Sequence, residues 1–329
     1  MPTRRRALLI LAALTGLSLA SVSAALAVGS LPIPLAEVID ILAGAADGPA
    51  SEVVRQLRLP RALTGFACGG LLALAGALLQ VLLRNPLADP YVLGISGGAG
   101  IGALLAMVLG FSVVGINSLA FGGALAVMLL VFGLAHGEGG WSQSRLLLTG
   151  VIVASGCGAL IALMLAIAPE ERLRGMLFWL MGDLSQIGEP QLILGLLAAV
   201  LLLSMPFARE LNLLARGNDI AQALGVAVRP LRRGIYFVAS LATAVAVTHA
   251  GAIGFIGLIV PHLVRLAAGN DQRLLLPAAV LAGGSLLVIA DTLARTILAP
   301  QQLPVGVLTA LIGVSVFLLL LARTTAHDD

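Results

Sequence analysis

The stretch QVLLRNPLADP, residues 80–90, separates two long apolar runs and determines how the chain can be arranged. It contains an arginine, an asparagine and two prolines, and a polar backbone broken by proline cannot lie unpaired in hydrocarbon. The sequence therefore predicts a tight turn at a membrane surface. Asn85, Pro86 and Pro90 are the candidate hinge residues of this turn.

The composition places the chain among the membrane proteins. Of its 329 residues, 59% are hydrophobic and only 11% are charged, and the mean hydropathy is +1.06. Soluble domains lie far from these values. All 19 basic residues are arginine, and the net charge is +3. The arginines fall in short gaps between apolar runs, a pattern that indicates membrane topology and not nucleic-acid binding.

A spanning length of about 20 residues predicts ten membrane helices. They are expected over residues 7–28, 60–83, 91–110, 113–135, 145–168, 191–208, 234–252, 254–268, 275–298 and 305–322. The first run could be a cleaved secretory signal, but its length favours a retained helix. Most of the 19 arginines fall in segments that this order places inside. Both termini are therefore expected in the cytoplasm, and residues 1–329 are expected to form one transmembrane domain.

The polar residues within the apolar runs are few, and they show no catalytic or metal-binding pattern. No cluster has the spacing of metal ligands, and no nucleophile stands near a base at motif spacing. A phosphate-binding loop needs a lysine, and the sequence contains none. We therefore expect a transport protein with no enzymatic activity, cofactor or metal of its own. If it uses ATP, a partner subunit must hydrolyse it.

The segment GAIGFIGLIVPHLVR, residues 251–265, combines a stripe of three glycines with a proline. Small residues on one helix face let two backbones approach closely in lipid. Pro261 is expected to bend or end the helix. Gly254, Pro261 and His262 are further hinge or gating candidates, although packing or helix-end hydrogen bonding is the alternative role for His262.

The longest polar segment, residues 209–233, reads RELNLLARGNDIAQALGVAVRPLRR and carries five arginines, so it cannot span a membrane. Apolar residues at helical spacing before Gly217, and again before Gly225, predict two short amphipathic helices that each end at a glycine. Such a pair could dock in a groove of a soluble partner or lie on lipid headgroups. The residues alone leave both alternatives open.

Seven motifs occur in order along nearly the whole chain. They are RLPR at 58–61, RNPLADP at 84–90, LGISGGA at 93–99, LNLLARGNDIAQALGV at 211–226, GFIGLIVPHLVR at 254–265, ADTLAR at 290–295 and LPVGVLTALIG at 303–313. Together they resemble the FecCD family of permeases, which includes the cobalamin, haem and ferric siderophore importers of bacteria. The set is highly specific, whereas any one motif alone would be weak.

The resemblance implies the all-α permease fold of a type II ATP-binding-cassette (ABC) importer in a bacterial inner membrane. Two copies of the permease would flank the path, two cytoplasmic ATPases would bind ATP and magnesium, and an external binding protein would deliver the ligand. Residues 209–233 then match the family's coupling helices, which seat in a cleft of the ATPase. The implied coupling residues are Leu211, Asn212, Leu214, Gly217, Ala223, Leu224 and Gly225.

Three arginines match family positions at the outer face that pair with acidic residues of the binding protein. They are Arg58, Arg61 and Arg295. Arginine suits this role because its planar guanidinium donates two hydrogen bonds to one carboxylate. The alternative is a contact with interface lipid or, for Arg295, with Asp291 one helical turn earlier.

The substrate class implied by the resemblance is a bulky metal chelate. An iron chelate, either a siderophore or haem, is expected, and cobalamin is the alternative. Gln302, Ser315 and the NDQR of residues 270–273 depart from the family pattern, so ligand contacts cannot be copied from a relative. A transporter of another class, driven by an ion gradient, is disfavoured because no carboxylate is expected at the midplane.

Overall fold

The chain is a helical bundle in the computed structural model, which describes residues 3–135, 142–185 and 189–325, with side chains to residue 319. Its α-helices are α1 (Arg4–Ala27), α2 (Leu35–Ala43), α3 (Pro49–Glu52), α4 (Leu59–Leu82), α5 (Ile95–Leu109), α6 (Val113–Leu134), α7 (Gln143–Ile167), α8 (Glu170–Leu180), α9 (Pro190–Ser204), α10 (Ala208–Arg216), α11 (Asn218–Ala223), α12 (Val228–Ala250), α13 (Ile256–Ala268), α14 (Gln272–Thr296) and α15 (Val305–Thr325).

Every expected membrane segment is helical, which confirms the prediction of an all-α polytopic membrane protein. Within the described ranges, seven helices are long and apolar enough to span a bilayer, with Pro49–Leu82 and Pro190–Arg216 each counted as one continuous helix. Three shorter apolar helices are α5, α13 and the Val305–Leu319 part of α15. The expected number of about ten is met only when these short helices are included.

Two short helices and an extended α4 were not expected from the sequence. α2 and α8 lie in segments for which the sequence predicts only connections between spans. The helix expected from residue 60 begins at Pro49 and reaches α4 through the π-helical segment Val53–Arg58. Pro49 is well suited to the first turn of this helix, because the backbone N–H that proline lacks would have no partner within the helix there. Arg58 therefore lies on a helix and not in a loop.

α4 forms the centre of the bundle. In the helix Pro49–Leu82, 89% of the most apolar 18-residue stretch is buried, against 11% of such a stretch in α1 and in α7. α9, α12, α13 and α14 pack around α4, and α1 lies against α14. α5, α6 and α7 pack together beside α12. The central position of α4 fixes where its two ends, and the polar segments attached to them, can lie.

Glycines let α4 touch its neighbours backbone to backbone. A methyl group on Gly76 would lie 1.8 Å from the carbonyl oxygen of Gly257 in α13, and one on Gly69 would lie 2.3 Å from that of Gly283 in α14. Both distances are far shorter than any normal carbon–oxygen contact. The glycine stripe expected at residues 251–257 therefore serves, at Gly257, as the contact surface for α4.

Substitution of Gly76 by alanine should separate α4 from α13 and destabilise the protein by about 1–3 kcal/mol, the usual cost of overpacking a core. We expect Gly76→Ala to lower the thermal unfolding temperature in detergent. Gly195→Ala on α9 is the matched control, since nothing lies within 4 Å of the position of its new methyl group. Equal unfolding temperatures for the two variants would contradict the proposed contact.

Candidate functional site

α10 and α11 form a short helix pair at one end of the bundle, between α9 and α12. They meet at Gly217, whose φ of 136° is readily adopted only by glycine. After α11 the chain turns at Gly225, with a φ of 82°. The pair of short helices expected in residues 209–233 is therefore present, with a glycine after each.

The apolar face of α10 holds this pair against the bundle. α10 packs against α4 and α14, and Leu211 and Leu214 are each only 1% exposed within the main core. Burial of one leucine side chain contributes about 1.5–3 kcal/mol. Both leucines are implied coupling residues, and in this structure they face the bundle and anchor α10.

The exposed apolar surface of the pair lies on α11 and the turn that follows it. Ile220 is 47% exposed and Leu224 is 59% exposed, and Ala223 and Gly225 are exposed beside them. Ile220 belongs to the amphipathic pattern predicted before Gly225, but it is not among the implied coupling residues. Its spacing of four residues from Leu224 is the signal that could have identified it, because such residues share one helix face.

Asn212 joins α10 to the beginning of α14 by two hydrogen bonds. Its side-chain Nδ2 donates to Oδ1 of Asp271 at 2.9 Å, and its Oδ1 accepts from the backbone N–H of Gln272 at 2.9 Å. Asp271 is the N-cap of α14 and also accepts from the backbone N–H of Arg273 at 3.1 Å. The amide of Asn212 thus completes the cap of α14.

The turn after α4 is exposed in its first half and buried in its second. The side chain of Asn85 accepts a hydrogen bond from the backbone N–H of Leu87 at 2.9 Å, and Asn85 and Pro86 are exposed. This half matches the expected surface turn. Pro90 is instead buried, and its Cδ lies 2.6 Å from where a methyl group on Gly257 would stand. Pro90 therefore belongs to the packed contact of α4 with α13.

Polar contacts in the buried half of this turn connect it to the start of α13. Asp89 accepts a hydrogen bond from the backbone N–H of Tyr91 at 2.7 Å, and burial raises the pKa of the Asp89 carboxyl to about 6. The hydroxyl of Tyr91 accepts from the backbone N–H of Ile253 at 2.7 Å. The segment between α12 and α13, which contains Gly254, is thereby tied to the turn.

The other part of α13 is tied to α4 through Gln80. Arg265 donates to Oε1 of Gln80 at 2.9 Å, and Nε2 of Gln80 donates to the carbonyl of Leu258 at 3.1 Å. α13 continues through Pro261 to Ala268, so the proline does not end the helix. Nδ1 of His262 is buried with no hydrogen-bond partner among the described residues.

A cluster of charges lies at the opposite end of α14 from Asn212. Asp291 is twenty residues beyond Asp271, or about 30 Å along a helix. Arg61 holds its carboxylate in a bidentate pair, with Nη2 to Oδ1 at 2.7 Å and Nε to Oδ2 at 2.9 Å. Arg295 donates from Nε to Oδ2 at 3.2 Å, which is the alternative contact considered for this residue.

Arg58 is buried and is engaged within this chain. It is 5% exposed, and its guanidinium donates to the carbonyls of Leu26 at 2.6 Å, Ala27 at 3.2 Å and Leu31. Carbonyls at the end of a helix have no partner inside the helix, and arginine satisfies them well. Arg58 therefore caps the end of α1 and presents no free surface to another protein. Arg61 and Arg295 remain partly exposed.

The architecture is that of a membrane permease subunit: a multi-pass helical bundle with a folded helix pair at one end. In the described part of the chain, no group of three or more His, Cys, Asp or Glu side chains could hold a metal ion. The FecCD transport family matches residues 5–323, and the chain belongs to that family. It is thus a transport subunit of the ABC class, in which a separate subunit hydrolyses ATP.

Similar proteins include permeases named for two cargoes. The cobalamin import system permease protein BtuC of Halobacterium salinarum is 43% identical over 280 residues, which cover 83% of this chain and 74% of the relative. The hemin transport system permease protein HmuU of Yersinia pestis is 42% identical over 275 residues, which cover 81% and 82%. A solved metal-chelate type ABC transporter in an inward-facing conformation has a TM-score of 0.83 and 31% identity, covering 96% of this chain and 99% of that one.

Proposed function

We propose that this permease imports an iron chelate, haem or a siderophore, with cobalamin as the alternative cargo. The observation that carries the proposal is the agreement among the similar proteins. One is named for hemin, one for cobalamin, and the solved structure is described as metal-chelate type. All of these cargoes are bulky metal chelates. The identities of 43% and 42% do not separate the two named cargoes.

The proposed assembly contains a second copy of this chain, two cytoplasmic ATPases that bind ATP and magnesium, and an external substrate-binding protein. The sparsely buried helices α1 and α7 support contacts with lipid and with the second copy. The concentration of arginines in residues 209–233 supports a cytoplasmic position for α10 and α11. By the same rule, both termini lie in the cytoplasm. The proposed location in a bacterial inner membrane follows from the resemblance to the importers of bacteria.

The exposed face of α11 is the proposed seat of the ATPase. Ile220 and Leu224 form an apolar pair on a polar helix segment, and such a pair fits a groove on a partner protein. Leu211, Leu214 and Gly217 support this surface from within. The first two anchor α10, and Gly217 permits the sharp joint between the helices.

The proposed gate is formed by the turn after α4 and by α13. The backbone N–H of Ile253, just before α13, donates to the hydroxyl of Tyr91 after the turn, and Arg265 near the end of α13 donates to Gln80 of α4. A displacement of the turn therefore acts on the start of α13, while the other end of α13 stays tied to α4. The residues proposed to flex or line the gate are Asn85, Pro86, Pro90, Gly254, Pro261 and His262.

The charge cluster at the far end of α14 is the proposed contact for the binding protein. Two arginines share the single carboxylate of Asp291, so the three side chains together carry a net positive charge. Arg61 and Arg295 are partly exposed and would attract acidic residues of a partner. Arg58 takes no part in this proposal because its donors are engaged with the end of α1.

The cargo can be tested by purifying the tagged chain from its native membrane together with the proteins bound to it. Haem, ferric siderophores and cobalamin differ in their visible absorption spectra, so the ligand released from the binding protein identifies the cargo. We expect the spectrum of an iron chelate, and a cobalamin spectrum would establish the alternative. Repeated preparations without any ATPase would contradict the proposed assembly.

The ATPase seat predicts that Leu224→Glu abolishes ATPase binding, since a carboxylate in an apolar groove loses its hydration without gaining a partner. The measurement is the amount of ATPase recovered with the tagged chain. Leu31→Glu is the matched control, because Leu31 is 47% exposed near the far end of the bundle. Full ATPase recovery with the Leu224 variant would show that the ATPase binds elsewhere.

The docking proposal predicts that Arg61→Gln combined with Arg295→Gln weakens binding-protein affinity about tenfold and reduces its dependence on salt. Glutamine retains a donor for Asp291, so the bundle is expected to stay folded, as an unchanged elution profile would verify. Arg55→Gln is the control, because Arg55 is exposed and donates to the carbonyl of Ile41. An unchanged affinity of the folded double variant would refute the docking role.

A further inference from the structure

We propose that Asn212 is the positioning residue through which the α10–α11 pair moves α14. The inference rests on the proposed function, in which an ATPase displaces this pair. The movement is transmitted by one side chain, through two hydrogen bonds, to one helix.

The two hydrogen bonds of Asn212 fix the position of α10 relative to α14. Its amide donates to Asp271 and accepts from the N–H of Gln272, both at 2.9 Å. Only an amide of this length offers a donor and an acceptor side by side. Leu211 and Leu214 are almost fully buried, but apolar contacts are not directional, whereas hydrogen bonds are. The direction of a pull is therefore set by Asn212.

The hydrogen bonds of Asn212 are made to the first residues of α14, where a displacement of α10 acts on the whole helix. Asp271 is the N-cap of this helix and Gln272 is its first residue. α14 runs from Gln272 to Thr296 as one helix, although Pro277 lacks one backbone N–H near its beginning. The remaining backbone hydrogen bonds run along the helix axis and couple the two ends of α14. Displacement of α10 thus reaches the far end of α14, where Arg61 holds Asp291.

A backbone contact near the middle of α14 provides a pivot. Gly283 meets Gly69 of α4, and a methyl group on Gly283 would lie 2.6 Å from the Gly69 carbonyl oxygen. Gly283 lies about 18 Å from Asp271 and about 12 Å from Asp291 along the helix. The close contact holds α14 against α4 at this point, so a displacement of one end of α14 tilts the helix about the crossing. The two ends of α14 then move in opposite directions.

The bonds of Asn212 are placed so that they can be broken and remade. Asn212, Asp271 and Gln272 line a polar cavity of about 810 Å³. Water in such a cavity can replace either partner, so separation of α10 from α14 does not leave the amide without hydrogen bonds. In this respect Asn212 differs from Leu211 and Leu214, whose apolar side chains form no hydrogen bonds.

The test exchanges the side chains of Asn212 and Asp271. Asn212→Asp removes the donor and sets a carboxylate against that of Asp271. Adding Asp271→Asn supplies the donor from the other side, and asparagine caps a helix as well as aspartate does. The readout is the number of ligand molecules taken up per ATP hydrolysed, in vesicles that contain the permease, the ATPase and the binding protein. Asn270→Asp is the control, because it adds the same charge at an exposed position in the same cavity.

We expect Asn212→Asp to lower uptake per ATP about tenfold, Asn270→Asp to leave it unchanged and the double variant to recover most of it. An unchanged ratio for Asn212→Asp would overturn the inference. So would a folded double variant, with its ATPase bound, that fails to recover. If the unaltered chain bound no ATPase at all, the proposed function would fall and this inference with it, so the two failures are distinguishable.

Discussion

The direct contact of α4 with its neighbours is the constraint on which the rest of the structure depends. Lipid chains are as apolar as leucine, so helices in a membrane gain little by hiding apolar side chains from lipid and depend on close packing instead. Gly76 and Gly69 allow this packing against α13 and α14. Because α4 is held on all sides, the turn that follows it and the first residues of α14 have defined positions.

The polar side chains are placed at the ends of helices, where they direct the packing. Asn212 and Gln80 tie neighbouring helices together at the end that carries α10 and α11. Arg61 and Asp291 do the same at the other end. The middle of the bundle is held mainly by small and apolar residues. Helices that cross on small residues can tilt about the crossing once the hydrogen bonds at their ends are released. An alternating-access transporter needs this type of movement.

The apolar runs predict the membrane helices, because each run is bounded by charges or prolines that cannot enter hydrocarbon. They do not predict α2, α8 or the start of the central helix at Pro49. The short helix pair was predictable for a similar reason, since Gly217 and Gly225 end two amphipathic patterns. The direction in which that pair faces was not. An amphipathic pattern shows that one face is apolar, but it does not show whether this face meets the bundle or a partner. Leu211 proved to face inward, while Leu224 is exposed.

The role of Arg58 could not be predicted from the sequence either. Its partners are backbone carbonyls in residues 26–31, about thirty positions away. Every residue has a backbone carbonyl, so the sequence does not show which of them will accept a hydrogen bond. Likewise, the sequence indicated that Pro261 would disturb a helix, but α13 continues through it because the surrounding helices bury this region. Contacts with residues distant in the sequence account for both differences.

The central claim, that this chain carries ligand through the membrane under the control of a separate ATPase, is tested most directly by uptake into vesicles. The vesicles would contain the permease and ATPase, with ATP enclosed and ligand-loaded binding protein outside. The account predicts uptake that requires enclosed ATP, stops when vanadate is enclosed and continues when ionophores collapse proton and sodium gradients. Uptake that survives vanadate and stops with the ionophores would contradict the account.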